Sequence, residues 1–280
     1  MKNKNIIITG GNAGIGLATS IALAKQGANI YIVARSKDKA EAAVKEIISA
    51  SDNSSVKYFV ANLSSQQSVR QLASEIKNEM SVIDVLINNA GGTFSDFTLS
   101  EDGLEMTIAT NHFAYFLLTN LLLDLVKKST QGRIVNVASG SHYRGKMDFE
   151  SFTTNKSYFI MKAYEQSKLA NVLFTNELAE RLKGTNVTSN SLHPGFVKTH
   201  IGNKNASWYS GLFWSLVTLG AISVEDGAKT SVYLASSPEV KNVTGKYFDK
   251  CKEKEAAPLA LDKNLGRELW KRSEEWCPLS

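Results

Sequence analysis

The sequence predicts an α/β fold, a doubly wound and mostly parallel seven-stranded sheet with helices on both faces. Strand-like apolar runs alternate with helix-period segments from end to end, which is the pattern of successive βαβ units. Several runs, such as Val82-Ile83-Asp84-Val85-Leu86-Ile87, are apolar on both faces, as strands covered by helices above and below require. A glycine-rich turn, Thr9-Gly10-Gly11-Asn12-Ala13-Gly14-Ile15-Gly16, joins the first strand to the first helix.

The first strand, 5–9, is marked by Ile6-Ile7-Ile8, and the helix after it runs over 14–26 to the break at Gly27. Gly10 permits the bend, Gly14 lets backbone N–H groups approach a pyrophosphate, and Gly16 lets the helix pack close to the sheet. With a strand before and a helix after, the turn reads as a dinucleotide site of the Rossmann type, built on Gly10, Asn12, Gly14, Ile15 and Gly16. A glycine triad without that context is an ordinary turn. The second strand, 29–34, ends in Ala34-Arg35-Ser36, where an NAD site would carry a carboxylate for the ribose 2′-hydroxyl. Arg35 instead offers planar donors suited to a 2′-phosphate, so the sequence favours NADP(H), with Ser36 beside it. The bland alternative for Arg35 is a solvated arginine after a strand.

The pattern continues with helix 37–50, strand 56–61, helix 65–79, strand 83–88, helix 101–127, strand 132–137, helix 161–183, strand 187–193, helix 225–236, strand 245–248 and helix 261–276. No linker interrupts it, and the 280 residues read as one domain. The 43% apolar and 21% charged residues are those of an ordinary globular protein, which excludes disorder. The net charge of +5 is spread without a basic run or basic-aromatic motif, which argues against nucleic acid. Cys251 and Cys277 suit neither a disulfide framework nor a zinc site, and the four histidines form no paired ligand motif. The expectations are therefore no metal and a reducing cytoplasm. The first strand starts too early for a signal peptide, and the apolar stretch Trp208 to Ile222 is shorter than the ~20 residues of a membrane span.

Tyr164 and Lys168 lie four apart on a predicted helix, so both emerge on one face. A tyrosine with a pKa near ~10 can donate to a carbonyl but is a poor base. An ammonium about 4 Å away, at an effective dielectric of ~20, would interact with the phenolate by roughly 4 kcal/mol and lower that pKa before desolvation opposes it. Tyr158 and Lys162 repeat the spacing, but near the helix start in the apolar patch Tyr158-Phe159-Ile160-Met161, which reads as substrate-side or core packing.

With Thr9-Gly10…Gly14-Ile15-Gly16, Asn88-Asn89-Ala90-Gly91, Asn111, Ile134-Val135-Asn136-Val137-Ala138-Ser139, Tyr164…Lys168 and Pro194-Gly195…Thr199 in this order, the chain resembles the short-chain dehydrogenase/reductase family over nearly its whole length. Ser141-His142-Tyr143-Arg144-Gly145, the run from Ser167 to Phe174 and the tail around Gly245-Lys246-Tyr247-Phe248 look most like the retinol dehydrogenase-like branch. The resemblance implies that Tyr164 is the acid/base. It implies that Lys168 holds the nicotinamide ribose and lowers the tyrosine pKa, that Ser139 hydrogen-bonds the substrate oxygen, and that Asn111 positions a water. Asn62, Leu63, Asn89, Ala90 and Gly91 would line the adenosine side, and Pro194, Gly195, Val197 and Thr199 the carboxamide. Asn62 stands where the family usually has Asp, and Ala138 where a serine is common. Singly, Ser139 could cap a turn, Asn111 mark a helix kink and Asn88-Asn89 follow a strand.

The function expected is that of an NADP(H)-dependent enzyme interconverting an alcohol and an aldehyde or ketone. Trp208, Tyr209, Leu212, Phe213 and Trp214, in a substrate lid over about 200–222, imply an apolar substrate such as a retinoid, lipid aldehyde or steroid. The same aromatics also suit an oligomer contact or a peripheral membrane patch. The alternative function is a catalytically silent NADP(H)-sensing scaffold, against which the intact Asn111, Ser139, Tyr164 and Lys168 set argues.

Overall fold

The computed structural model, which describes residues 1–196 and 222–279, begins with β1 (Asn5–Thr9), whose Ile6, Ile7 and Ile8 are fully buried. There follow α1 (Gly14–Ala24), β2 (Asn29–Ala34), α2 (Lys37–Ser51), β3 (Val56–Val60), α3 (Gln66–Glu79) and β4 (Val85–Asn88). A single turn, α4 (Met106–Ile108), leads through a π turn at Ala109–Phe113 into α5 (Ala114–Lys127). Then come β5 (Gly132–Val137), α6 (Ile160–Arg181), β6 (Val187–His193), α7 (Val224–Ser236), β7 (Tyr247–Asp249), β8 (Lys252–Lys254) and α8 (Lys263–Trp276).

The sheet order is β3-β2-β1-β4-β5-β6-β7-β8. Every neighbouring pair from β3 to β7 is parallel, and β8 closes the edge antiparallel to β7. Because side chains alternate along a strand, Ile7 faces one core and Ile6 and Ile8 the other. The first core packs Leu72 and Ile76 of α3, Phe116 of α5, Leu173 and Phe174 of α6 and Trp270 of α8. The second packs Leu23 of α1, Ile47 of α2 and Leu234 of α7. The chain reverses its direction of strand addition between β1 and β4, so a crevice opens beyond their carboxyl ends.

Two elements differ from the sequence reading. The helix expected over 101–127 starts only at Met106. Gly103 takes φ +74°, Leu99 and Glu105 form an antiparallel bridge, and the buried Glu105 carboxylate caps the N–H groups of Thr107 and Ile108. A glutamate buried as a cap carries no Ser/Thr/Asp signature, so the preceding turn reads as helix. The eighth strand was not expected: Lys-Glu-Lys has no apolar alternation, being held on one edge only. Among the described residues no helix is long and apolar enough to cross a membrane.

Candidate functional site

The crevice is built first by the turn after β1. Gly10 and Gly14 have positive φ, +65° and +52°, which glycine adopts without strain. A Cβ on Gly16 would be driven into the Gly10 carbonyl oxygen, and one on Gly11 would sit 2.6 Å from the Ile32 side chain. Ala13 is the N-cap of α1; among the described residues no side chain caps it, and its first turn holds no acid. The terminal N–H groups and the positive end of the helix dipole are thus left to an anion. The facing wall is Asn89-Ala90-Gly91 after β4. The Thr9 hydroxyl accepts from the N–H groups of Asn89 (2.9 Å) and Ala90 (3.0 Å), and the Asn89 amide donates to the Thr9 carbonyl (2.8 Å). This glycine cradle with a bare helix start fits a nucleotide pyrophosphate.

Around it, Arg35 stands exposed just beyond β2, and Ser36 begins α2. Asn62 is exposed, its side-chain oxygen accepting from the N–H (3.2 Å) and hydroxyl (2.8 Å) of Ser64; Leu63 is half-buried behind it. Pro194 and Gly195 follow β6, Gly195 with φ +85°. Val197, Thr199 and the expected lid, apart from Ile222, lie outside the described residues.

The second half comes from α6. Lys168 is 4% exposed, donates to the Val137 carbonyl at the end of β5 (3.1 Å) and lies 5.5 Å from the centroid of the Tyr164 ring. Ser139 follows the same strand; its hydroxyl accepts from the Ser141 N–H (3.1 Å) and lies near enough to Tyr164 to act on the phenol's pKa. Asn111 is fully buried in the π turn. Its oxygen accepts from Gly92 N (2.8 Å), and its amide donates to the Gly92 carbonyl (3.0 Å) and to Ser167 Oγ (2.9 Å). Gly91 completes the contact, since a Cβ there would lie 3.0 Å from Asn111 Oδ1 and 3.5 Å from Lys168 Nζ. Asn111, Ser139, Tyr164 and Lys168 are therefore brought together at the sheet edge beside the glycine turn. Tyr158 is not part of this group: its hydroxyl donates to the Phe94 carbonyl (2.6 Å).

Burial governs the electrostatics here. It raises the Tyr164 pKa, against which the Ser139 side chain acts, and lowers that of Lys168 to about 8. The sequence reading had Lys168 depress the tyrosine pKa. In the folded protein desolvation wins, because both groups are removed from water and the ammonium is itself disfavoured.

Beneath the site runs a buried polar ladder. Asn88 donates to Thr119 (2.9 Å) and Asn136 (2.8 Å), Asn136 to Thr175 (3.0 Å), and Thr175 to the Asn171 carbonyl (2.7 Å). It ties α5, β4, β5 and α6 into one frame. Ser167, which donates to the Tyr164 carbonyl (2.8 Å) while accepting from Asn111, was missed by the sequence reading. Its available signal was a polar residue three positions from Tyr164 on an otherwise buried helix face.

A family model of the short chain dehydrogenases matches residues 4–210. Retinol dehydrogenase 14 of Mus musculus is 42% identical over 98% of this chain and 86% of its own length. Retinol dehydrogenase 13 of Homo sapiens is 43% identical over 96% of this chain and 83% of its own. Among solved structures, an uncharacterized protein from Mycobacterium Paratuberculosis superposes with a TM-score of 0.80 at 31% identity, covering 99% of this chain and 94% of that one.

Proposed function

The chain belongs to the short-chain dehydrogenase family, and from that premise we propose an NADP(H)-dependent enzyme that interconverts an apolar alcohol and its aldehyde or ketone, with Tyr164 as the acid and base. Membership and the retinol dehydrogenase relatives make it an oxidoreductase between alcohols and carbonyl compounds; cofactor, substrate and residue roles are the proposal. The observation that carries it is the meeting of Ser139, Tyr164 and Lys168 at the end of β5, beside a glycine turn that can cradle pyrophosphate.

Gly10, Asn12, Gly14, Ile15 and Gly16 would hold the pyrophosphate, with Arg35 and Ser36 at a 2′-phosphate, Asn62, Leu63, Asn89, Ala90 and Gly91 at the adenosine, and Pro194, Gly195, Val197 and Thr199 at the carboxamide. The nicotinamide supplies hydride to, or takes it from, the carbon that bears the substrate oxygen. The residues manage the proton. A phenol whose pKa is raised by burial stays protonated at neutral pH, so Tyr164 is ready to donate to the developing alkoxide in reduction. The Ser139 hydroxyl, oriented by the Ser141 N–H, holds the same oxygen. Lys168, with a pKa of about 8, is mostly charged at neutrality and stabilises the negative charge that develops on the tyrosine as the proton leaves. Asn111 would hold a water that continues the proton path.

An apolar substrate is favoured by Phe159, Met161 and Phe196, which are 54%, 37% and 54% exposed. Met161 lies one helical turn before Tyr164 and so on its face of α6. The relatives named for retinol, an apolar alcohol, agree with this.

Purified protein is to be assayed with NADPH and NADH against nonanal, retinal and cyclohexanone, together with a Tyr164→Phe variant. The expected result is turnover with at least one carbonyl. The variant should lose about 10²–10⁴-fold in kcat, the contribution of a positioned acid, while its NADPH affinity stays the same. Near-normal turnover by the variant would remove Tyr164 from its role.

A further inference from the structure

His142 is fully buried in the short 3-10 turn that follows Ser139. Its ring lies between those of Tyr143 and Tyr247, with centroids at 4.1 and 4.5 Å. Nε2 accepts the backbone N–H of Ala257 (3.1 Å), so Nδ1 must carry the proton, and it donates that proton to the Ser139 carbonyl at 2.7 Å. The same carbonyl also takes the His142 backbone N–H at 3.2 Å. One neutral tautomer therefore bridges the segment after β8 to the backbone of Ser139, whose hydroxyl meets Tyr164. Burial keeps the imidazole neutral, reinforced by His193 and Lys254. A second contact fastens the same two segments, the Tyr143 hydroxyl on the Glu255 carbonyl.

We propose that His142 is a positioning residue: through its two ring nitrogens the Ala256–Ala257 segment fixes the backbone of Ser139 and so the place of its hydroxyl at the substrate oxygen. This rests on the role given to Ser139 above. The chemistry requires both ends of the ring. Nδ1–H holds the serine carbonyl, and Nε2 holds the ring itself against rotation. A phenyl ring could fill the same space between the two tyrosines but would make neither bond.

Two conservative variants separate the ends. In His142→Asn the side-chain amide occupies the Nδ1 position, keeping a donor for Ser139 and losing Ala257. In His142→Gln the side-chain oxygen reaches the Nε2 position, keeping Ala257 and losing Ser139. Residue-resolved amide exchange is followed for Ser141, whose N–H reports the Ser139 hydroxyl, and for Ala257, and kcat and KM are measured for nonanal with NADPH. The expected result is that His142→Gln exchanges Ser141 about tenfold faster, retains Ala257 protection and loses about tenfold in kcat with little change in KM, as misplacement of a reacting group does. His142→Asn should show the reverse exchange pattern and the smaller loss in kcat. Equal loss of protection at both amides in both variants, or wild-type exchange at Ser141 in His142→Gln, would overturn the proposal. If the wild-type protein turned over no carbonyl, that would count against the function proposed above, while the exchange pattern would still decide the role of His142.

Discussion

Tyr164 and Lys168 are moved in opposite directions by one cause. Burial disfavours phenolate and ammonium alike, so the first pKa rises and the second falls to about 8. The helix spacing that puts the two on one face was legible in the sequence, because a four-residue interval needs only a helix to have meaning. Their protonation was not, because depth of burial depends on β5, α5 and the loop after β4, all distant in the chain. Arg35 is a residue at which the sequence reading can be tested directly, since it stands exposed beyond β2 with no carboxylate in Ala34-Arg35-Ser36 to repel a phosphate. Arg35→Ala is expected to weaken NADPH binding by about ten- to a hundredfold, the range of about 1.5–3 kcal/mol for hydrogen bonds to a charged group. NADH, which lacks the phosphate, should change little. Fluorescence titration with both nucleotides checks this, and equal losses would remove the phosphate role.

At the scale of elements, β1, β2, β4 and β5 read clearly because strands covered on both faces leave apolar runs. What escaped was set by contacts across the fold: the start of α4 on a buried glutamate cap, the π turn that presents Asn111, and the charged edge strand β8. The α8 helix shows how a strongly amphipathic C-terminal segment joins the frame. Trp270 stacks on Phe174 at 5.8 Å, meets Phe116 edge-on at 5.1 Å, and lies under the Arg181 guanidinium at 4.1 Å. Its ring N–H donates to Glu274 (2.7 Å). Trp270→Ala empties a site lined by α5 and α6 and should cost about 3–5 kcal/mol. Urea unfolding measures this, with the midpoint falling while the slope stays constant. A loss under about 1 kcal/mol would mean that α8 rests on α6 without stabilising it.

Across the whole molecule, His112 sits where the π turn, α6 and α8 meet. It is fully buried, with Phe113, Phe116 and Phe174 around the ring and Nε2 3.0 Å from Ser273 Oγ. The Ser273 hydroxyl proton is already given to the Leu269 carbonyl (2.7 Å), so the serine accepts and His112 Nε2 donates. Burial lowers the His112 pKa to about 3, with the Asn171 side chain opposing. Above the unfolded value near ~6.5 both states hold a neutral ring, and His112 adds no pH dependence. As pH falls from there towards 3, the unfolded chain binds a proton that the folded one refuses, so stability drains through that window and the loss is complete below it. His112→Phe removes this linkage and keeps an aromatic ring in an aromatic cluster. At pH 7 the variant should be less stable by about 1 kcal/mol, the worth of the lost hydrogen bond. Between pH 6.5 and 3 its stability should fall less steeply than that of the wild type, because His142 and His193, whose pKa values are also lowered by burial, contribute equally to both proteins. Urea midpoints measured across that range should converge and then cross. Parallel curves would mean that the ring at position 112 takes up its proton without opening the junction of α5, α6 and α8.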